Sequence, residues 1–399
     1  MSTVRESKLR IIVLGYVVRR PLGGGTWPTL QYALGLLQLG HDVYFLEDSD
    51  DYESCYDPSR HVTDCDPSFG LRYAAGVFSR TELAERWAYH DAHTKTWHGP
   101  RGADMVALCK DADLVINVSG INPMRPWLGQ IPRRVYIDTD PGFEQIRQQD
   151  SPSRRALALA HNVFFTLGEN IPTGDAVSLP DMGIPWMATR QPVVLDCWPV
   201  TPVPSDGKFT TVMLWDSYEP REYGDLKLGM KSASFEPFWE LPKRSSASLE
   251  LAVGGPNVPR DRLREHGWSV IHALEPTRDP WTYQNYMQQS VGEFTIAKQG
   301  YVATRCGWFS ERSAHYLASG RAVITQDTGF SKVLPTGQGL FAFDNPDSAI
   351  AALEAVASDP QRHGDSARQV AAEYFDAKRV LADFVARAMR TDITGTQTP

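Results

Sequence analysis

The chain has few cysteines, and they are poorly placed for any shared task. Cys55, Cys65, Cys109, Cys197 and Cys306 are odd in number, scattered, and include no CxxC pair. That spacing supports neither a disulfide framework nor a thiolate zinc site, and no metal is expected. No apolar run approaches the roughly 20 residues of a membrane helix. The stretch from Met1 to Arg10 is polar, with no signal-peptide core. The expectation is a cytoplasmic chain without a membrane span. Basic residues are outnumbered, 40 Lys and Arg against 48 Asp and Glu, for a net charge of −8. That balance speaks against bulk nucleic-acid binding, which draws on a clustered basic face. It leaves room for a local basic pocket around one diphosphate. No repeat of solenoid period is present.

What is present is length enough for more than one core. The 399 residues, 42 % hydrophobic and 22 % charged, suggest about two or three domains of ordinary globular composition. The 11 Trp, 15 Tyr and 16 Phe supply flat surfaces for cores and for stacking sugars or bases. Leu9-Arg10-Ile11-Ile12-Val13-Leu14-Gly15 reads as a buried strand and Gly23-Gly24-Gly25-Thr26 as a glycine-rich turn. Leu30, Ala33, Leu34, Leu37 and Leu39 then recur at helical spacing until Gly40, and Asp42-Val43-Tyr44-Phe45-Leu46 is the next strand. This βαβ unit predicts a parallel sheet. Further strands are expected at Leu114–Val118, Arg134–Asp138 and Asn162–Thr166. A segment carrying Pro192, Pro199, Pro202 and Pro204 reads as a linker. A second series of strands follows at Thr210–Trp215, Leu249–Gly255, Phe294–Ala297 and Ala322–Thr325, closed by an amphipathic helix pair from Asp365 to Met389. The expected organisation is a first domain over 1–195, a linker over 196–208, a second domain over 209–375, and a C-terminal helix and tail over 376–399 that crosses back to the first. Two similar α/β halves predict two facing Rossmann-like domains with the site in the cleft between them.

The most informative stretch is Thr304-Arg305-Cys306-Gly307-Trp308-Phe309-Ser310-Glu311-Arg312. Gly307 and Ser310 lead into a helix whose free N–H groups and dipole make an anion site. Arg305 and Arg312 are candidates for bidentate phosphate contacts, and Glu311 for ribose hydroxyls. Lys231 and Lys298 are candidates to neutralise a diphosphate. An ordinary strand–helix turn with solvated charges would contain the same residues. Asp138 and Asp140 stand at the end of a first-domain strand, the edge where α/β ligands bind. Paired carboxylates raise each other's proton affinity, so either is a candidate general base. Capping of the loop is the alternative, and Asp140 is placed to face the other way. His90, His93 and His98 are expected on a solvated helix face beside Asp91 and Lys95, and Asp48, Asp50 and Asp51 in a loop. Tyr283 and Trp268 are candidates for base stacking or for the core.

The stretch at 304–310 resembles the T-H-C-G-W-N-S signature of nucleotide-diphosphate-sugar glycosyltransferases, keeping Thr304, Cys306, Gly307, Trp308 and Ser310. It departs in Arg305 for His and Phe309 for Asn. Glu311 comes two positions early, with Ser313 in the usual Glu place, and Gln326-Asp327 stands reversed near the sugar-contacting pair. Gly23-Gly24-Gly25-Thr26 with Leu39-Gly40-His41-Asp42-Val43, and Gly337-Gln338-Gly339-Leu340-Phe341 with Asp359-Pro360, resemble the opening and closing patterns of the same superfamily. The resemblance implies a GT-B architecture and transfer of a sugar from a UDP-, dTDP- or GDP-linked donor to a small-molecule acceptor, such as a natural product, or to a glycan. It implies no cofactor and no metal. It places Gly24, Gly25 and Thr26 under the donor phosphates or the acceptor, and Arg305, Gly307, Ser310, Glu311, Arg312 and Asp327 around the donor. A nucleotide-sugar 2-epimerase and a non-catalytic partner protein on the same scaffold are the rival readings. A homodimer is compatible with the sequence, and nothing in the sequence requires one.

Overall fold

The strand Arg10–Leu14 shows why a continuous apolar run is stable here. Ile11, Ile12, Val13 and Leu14 are at most 1 % exposed. Parallel strands Leu114–Val118 and Asp42–Asp48 flank it, and helices cover both faces of the sheet. Side chains alternate along it. Ile11 and Val13 join a core with Leu30 and Leu34, whereas Ile12 and Leu14 join another with Met105, Leu108 and Leu128. The computed structural model describes residues 8–177, 179–204 and 206–393.

Across the first sheet the strands stand in the order Met187–Ala188, Val163–Thr166, Arg133–Asp138, Leu114–Val118, Arg10–Leu14, Asp42–Asp48, Trp87–Asp91 and Thr96–His98. All run parallel except Thr96–His98, which pairs antiparallel with Trp87–Asp91. The second sheet reads Ser269–His272, Leu249–Gly254, Phe209–Leu214, Gly292–Thr295, Ala322–Gln326 and Leu340–Phe343, all parallel. In each sheet the first six parallel strands stand 3-2-1-4-5-6, the doubly wound Rossmann order. A crevice therefore opens at the carboxyl ends beside Arg10–Leu14 in one sheet and beside Phe209–Leu214 in the other. The two crevices face each other across a deep cleft. No helix among the described residues is long and apolar enough to cross a membrane.

Three expectations are corrected. The glycines at 23–25 do not form a turn: they are the first turn of helix Gly23–Gln38. Their small size serves a close approach instead, since a Cβ at Gly23 would lie 2.2 Å from the carbonyl oxygen of Asp279 in the second domain. His90, His93 and His98 lie not on a helix face but on the hairpin Trp87–Asp91/Thr96–His98. The Asp91 carboxylate accepts from the N–H groups of His93 and Thr94 and so nucleates a tight turn there. Asp48 ends a strand rather than starting a loop. It is buried against Arg125 and His90.

The domains are joined by buried contacts. Trp27 Nε1 donates to the Pro280 carbonyl at 2.7 Å, and the rings of Trp198 and His315 stack at 4.3 Å. Helix Ala377–Arg390 follows helix Pro360–Tyr374 and returns to the first domain, where Leu381 packs against Gly35 and Arg387 Nη1 donates to the Ala188 carbonyl at 2.9 Å. Leu381 is fully buried. Leu381→Ala is therefore expected to cost about 2–5 kcal/mol in unfolding free energy, measured by urea titration, through lost transfer energy plus a cavity.

Candidate active site

Two joined cavities of about 810 and 610 Å³ fill the cleft. They share one seam. On the first-domain side it is built by Tyr16 and Ile121, just beyond the ends of strands Arg10–Leu14 and Leu114–Val118. On the second-domain side it is built by Val212, Met213 and Leu214 and by Ser310, Glu311 and Arg312. The larger lobe continues over Gly254, Gly255 and His272, and the smaller over Asp138, Asp140, Lys231 and Lys298.

The turn entering the seam is fixed from the opposite domain. Arg305 takes left-handed backbone angles with φ of 48°, and Gly307 takes φ of 80°, where a Cβ would lie 2.9 Å from the Asn170 side chain. Asn170 Nδ2 donates to the carbonyls of Arg305 and Gly329 at 2.8 and 3.1 Å, and its N–H donates to Cys306 at 3.0 Å. Ser310 then caps helix Glu311–Ala318 by position only, with no side-chain hydrogen bond to the first turn. The free N–H groups at this end lie at the wall shared by both lobes, where the helix dipole favours an anion.

Arg312 lines both lobes, but its guanidinium is already engaged. It donates to Glu293 at 2.5 Å, to the Val212 carbonyl at 2.8 Å and to Thr295 at 2.8 Å. Burial disfavours its charge, and Glu293 overcomes that and holds it protonated. Lys231 is the opposite case. It begins helix Lys231–Phe235, is 8 % exposed, and lines the smaller lobe. Its ammonium has no hydrogen-bond or ion-pair partner among the described residues. Burial, then the nearby charge of Arg312, pushes its proton affinity well below that of an ordinary lysine. Glu311 also lines both lobes, with no ion-pair partner among the described residues.

The two carboxylates of Asp138 and Asp140 are brought to the same lobe but differ sharply. Asp138 accepts from the Asp140 N–H at 2.9 Å, Gln145 at 3.0 Å and Thr166 at 2.8 Å. Burial, reinforced by Glu144, still raises its pKa to about 7. Burial would likewise raise that of Asp140, but Lys298, Arg147 and two tyrosine hydroxyls prevail and hold it well below the usual carboxylate range.

Of the remaining candidates, Gly24 and Gly25 line the larger lobe, while Thr26 turns inward and donates to the Leu22 carbonyl at 2.9 Å. Arg305 and Asp327 are not among the side chains lining either lobe. They pair with each other at 3.2 Å, and Asp327 also accepts from the N–H of Gly329 at 2.8 Å. Trp268 belongs to the second core and donates to the Trp239 carbonyl at 3.0 Å. Tyr283 touches the larger lobe and Gly24. Sequence reasoning missed Tyr16, Arg147, Tyr218 and Tyr301. Tyr16 had a signal, since it follows the first strand at the switch point of the sheet. Among the described residues no group of three or more His, Cys, Asp and Glu is gathered to hold a metal.

Asp138 gives a test by pH. Its unfolded carboxyl titrates near about 3.9 and its folded carboxyl at about 7. Between these values the folded chain holds a proton that the unfolded chain has lost. The stability this contributes is complete below the lower value and disappears as pH rises through the upper one. Urea unfolding between about pH 4 and 8 is expected to show that decline, and Asp138→Asn to flatten it.

No protein-family model matches the chain, and no curated protein matches it in sequence. Solved structures match it in shape. An α-glucosyltransferase in complex with UDP-glucose and DNA containing an abasic site is 10 % identical with a TM-score of 0.61, over 96 % of this chain and 100 % of that one. Anabaena HepE in complex with UDP and glucose is 10 % identical with a TM-score of 0.56, over 96 % and 100 %. AviGT4, a glycosyltransferase involved in avilamycin A biosynthesis, is 12 % identical with a TM-score of 0.51, over 96 % and 97 %. At this identity the likeness is one of fold: the chain has the GT-B architecture of two facing Rossmann-like domains around a deep cleft.

Proposed function

We propose that the chain transfers a sugar from a nucleoside diphosphate to an acceptor hydroxyl. One observation carries the reading: the Lys231 amine, buried and without a hydrogen-bond or ion-pair partner among the described residues, lines the cleft beside the free N-terminus of helix Glu311–Ala318. An unpaired buried charge is costly unless a ligand completes it. An anion bridging Lys231 and the helix end would do so, and a diphosphate has the charge and length.

In this reading the nucleoside occupies the larger lobe along the strand ends at Gly254, Gly255 and His272. The diphosphate crosses the seam at Ser310, Glu311 and Arg312, and the sugar points into the smaller lobe. Charge developing on the departing diphosphate is met by Lys231, Lys298 and the helix N–H groups, donors already in place before reaction. In an inverting course Asp138, with a proton affinity near neutrality, is the carboxylate assigned to take the acceptor proton. A retaining course needs no such base. UDP is the first carrier to try, because similar structures hold UDP or UDP-glucose. With a net charge of −8, the chain lacks the basic excess that duplex binding draws on. We therefore assign the acceptor to a small molecule or glycan, although one similar structure holds DNA. Tyr52 and Tyr56 on the larger lobe suit a flat molecule.

The test is thermal unfolding with UDP, dTDP, GDP and ADP in turn. A true carrier at about 100 times its Kd should stabilise the chain by about 2.7 kcal/mol. Lys231→Met is expected to act in opposite directions. Without ligand it removes a buried amine that has no partner among the described residues, and raises stability. With ligand it weakens nucleotide binding by about 10- to 100-fold, the worth of a charged hydrogen bond. If none of the four shifts the unaltered chain, the donor site is refuted and the non-catalytic reading takes its place. Free epimerised sugar formed without acceptor would favour the epimerase.

A further inference from the structure

Asp140 invites reading as a general base, but its surroundings give it other work. It stands in the loop after strand Arg133–Asp138 of the first domain. Three of its four side-chain partners come from the second: the Tyr218 hydroxyl donates at 2.5 Å, Lys298 Nζ at 3.0 Å, and the Tyr301 hydroxyl completes the set. The fourth, Arg147 at 2.7 Å, comes from its own domain. Every lone-pair direction that could accept a substrate proton is thus already directed at a donor.

The same contacts enclose Lys298. Its Nζ lies 4.4 Å from the centre of the Tyr218 ring and 5.1 Å from those of Phe143 and Tyr301. The Tyr218 oxygen also accepts from it at 2.7 Å. Phe143 and Asp140 belong to the first domain, Tyr218 and Tyr301 to the second. The result is an aromatic cage with a carboxylate at one corner, assembled from both sides of the cleft. Lys298 lines the smaller lobe together with unpartnered Lys231. Burial alone works against its charge, and Asp140 is the main counterweight.

We propose that Asp140 is a positioning residue that reaches across the cleft, closes the Phe143–Tyr218–Tyr301 cage on Lys298, and presents that ammonium, fixed and charged, to the diphosphate of the donor. The assignment rests on the donor reading above. It makes the two lysines of the smaller lobe unlike in kind. Lys298 is held in place before any ligand arrives, and Lys231 is completed by the ligand. Because half the cage comes from each domain, the ammonium is set only when the domains are as close as they are here.

The experiment is UDP binding to the full-length chain by calorimetry from neutral to alkaline pH, for the unaltered chain, Asp140→Asn, Lys298→Met, the double variant and Tyr218→Phe, with thermal unfolding of each. In the unaltered chain the affinity should fall at the alkaline end as Lys298 loses its proton. Without Asp140 the lysine is easier to deprotonate, so the fall should begin at lower pH in Asp140→Asn. In Lys298→Met that component should be absent. Each single variant should weaken binding at neutral pH by about tenfold, and the double variant by no more than either alone. Tyr218→Phe, which keeps the ring and removes one donor, should show the same displacement to a smaller extent. A merely structural Asp140 would lower thermal stability without moving the alkaline limit. Binding of UDP with an unmoved limit, or additive losses in the double variant, would overturn this inference and leave the donor reading standing. No binding of UDP by the unaltered chain would overturn both.

Discussion

Many charged side chains at the junction of the two sheets are buried, among them Glu144, Glu293, Asp138 and Lys231, so an ionised group there must be answered by the protein or by a ligand. The junction meets this requirement nearly everywhere. Glu144 accepts from Tyr136, Arg147 and Arg154, Glu293 from Arg312, and Asp140 from four donors. Breaking one partner from such a pair costs about 3–5 kcal/mol, because the charge left behind is buried and unanswered. Lys231 departs from the rule, and for that reason carries more functional weight than the arginines around it. The Arg312 guanidinium is engaged by Glu293, the Val212 carbonyl and Thr295, whereas the Lys231 amine has no hydrogen-bond or ion-pair partner among the described residues.

The same requirement shapes the main chain. Fully buried Glu47 accepts from the N–H groups of Val17, Val18 and Arg19 at 2.6, 2.8 and 2.7 Å. Three such bonds tie the loop after the first strand into one conformation and place Tyr16 at the seam. On the other side Asn170 does the equivalent for the turn at Arg305–Gly307. Both walls of the seam are thus held by single buried polar side chains gripping backbone, outside any helix or strand. Each is a position where one substitution would loosen the site while leaving the sheets intact.

This division explains what could be read from the sequence. Strands such as Arg10–Leu14 and Ala322–Gln326 were legible because a parallel strand covered on both faces is apolar without alternation. The helix entering at Ser310 was legible from its small residues. The failures share a cause: the local signal was overridden by a partner distant in sequence. Gly23-Gly24-Gly25 has turn composition, yet Asp279, more than 250 residues on, demands small residues in a helix that docks there. Arg305 has the right charge for phosphate, and in the folded chain it pairs with Asp327, 22 residues on. Lys231 could be named by type, but its burial and the effect of the Arg312 charge on it appear only in the folded chain. Tyr218 had no signal, since it gains meaning only through Asp140.

The path of the chain bears on how the cleft can work. It passes between the sheets at the segment after Ala188 and again before helix Ala377–Arg390, and these crossings are bonded to each other. The Val193 N–H donates to the Phe375 carbonyl at 2.7 Å, and the Ala377 N–H donates back to Val193 at 2.8 Å. The crossings are thus laced to each other, and further contacts, Trp27 with the Pro280 carbonyl and Asn170 with the carbonyls of Arg305 and Gly329, hold the domains in this arrangement. Among the described side chains lining the smaller lobe, Asp140 is the carboxylate bonded to donors across the cleft. Any rotation that widens that lobe must first stretch those bonds and open the cage on Lys298. In the arrangement described here the cage is already closed without a ligand, so Lys298 stands as a fixed charge before a donor arrives, and a charge fixed in a largely buried site acts strongly on developing negative charge.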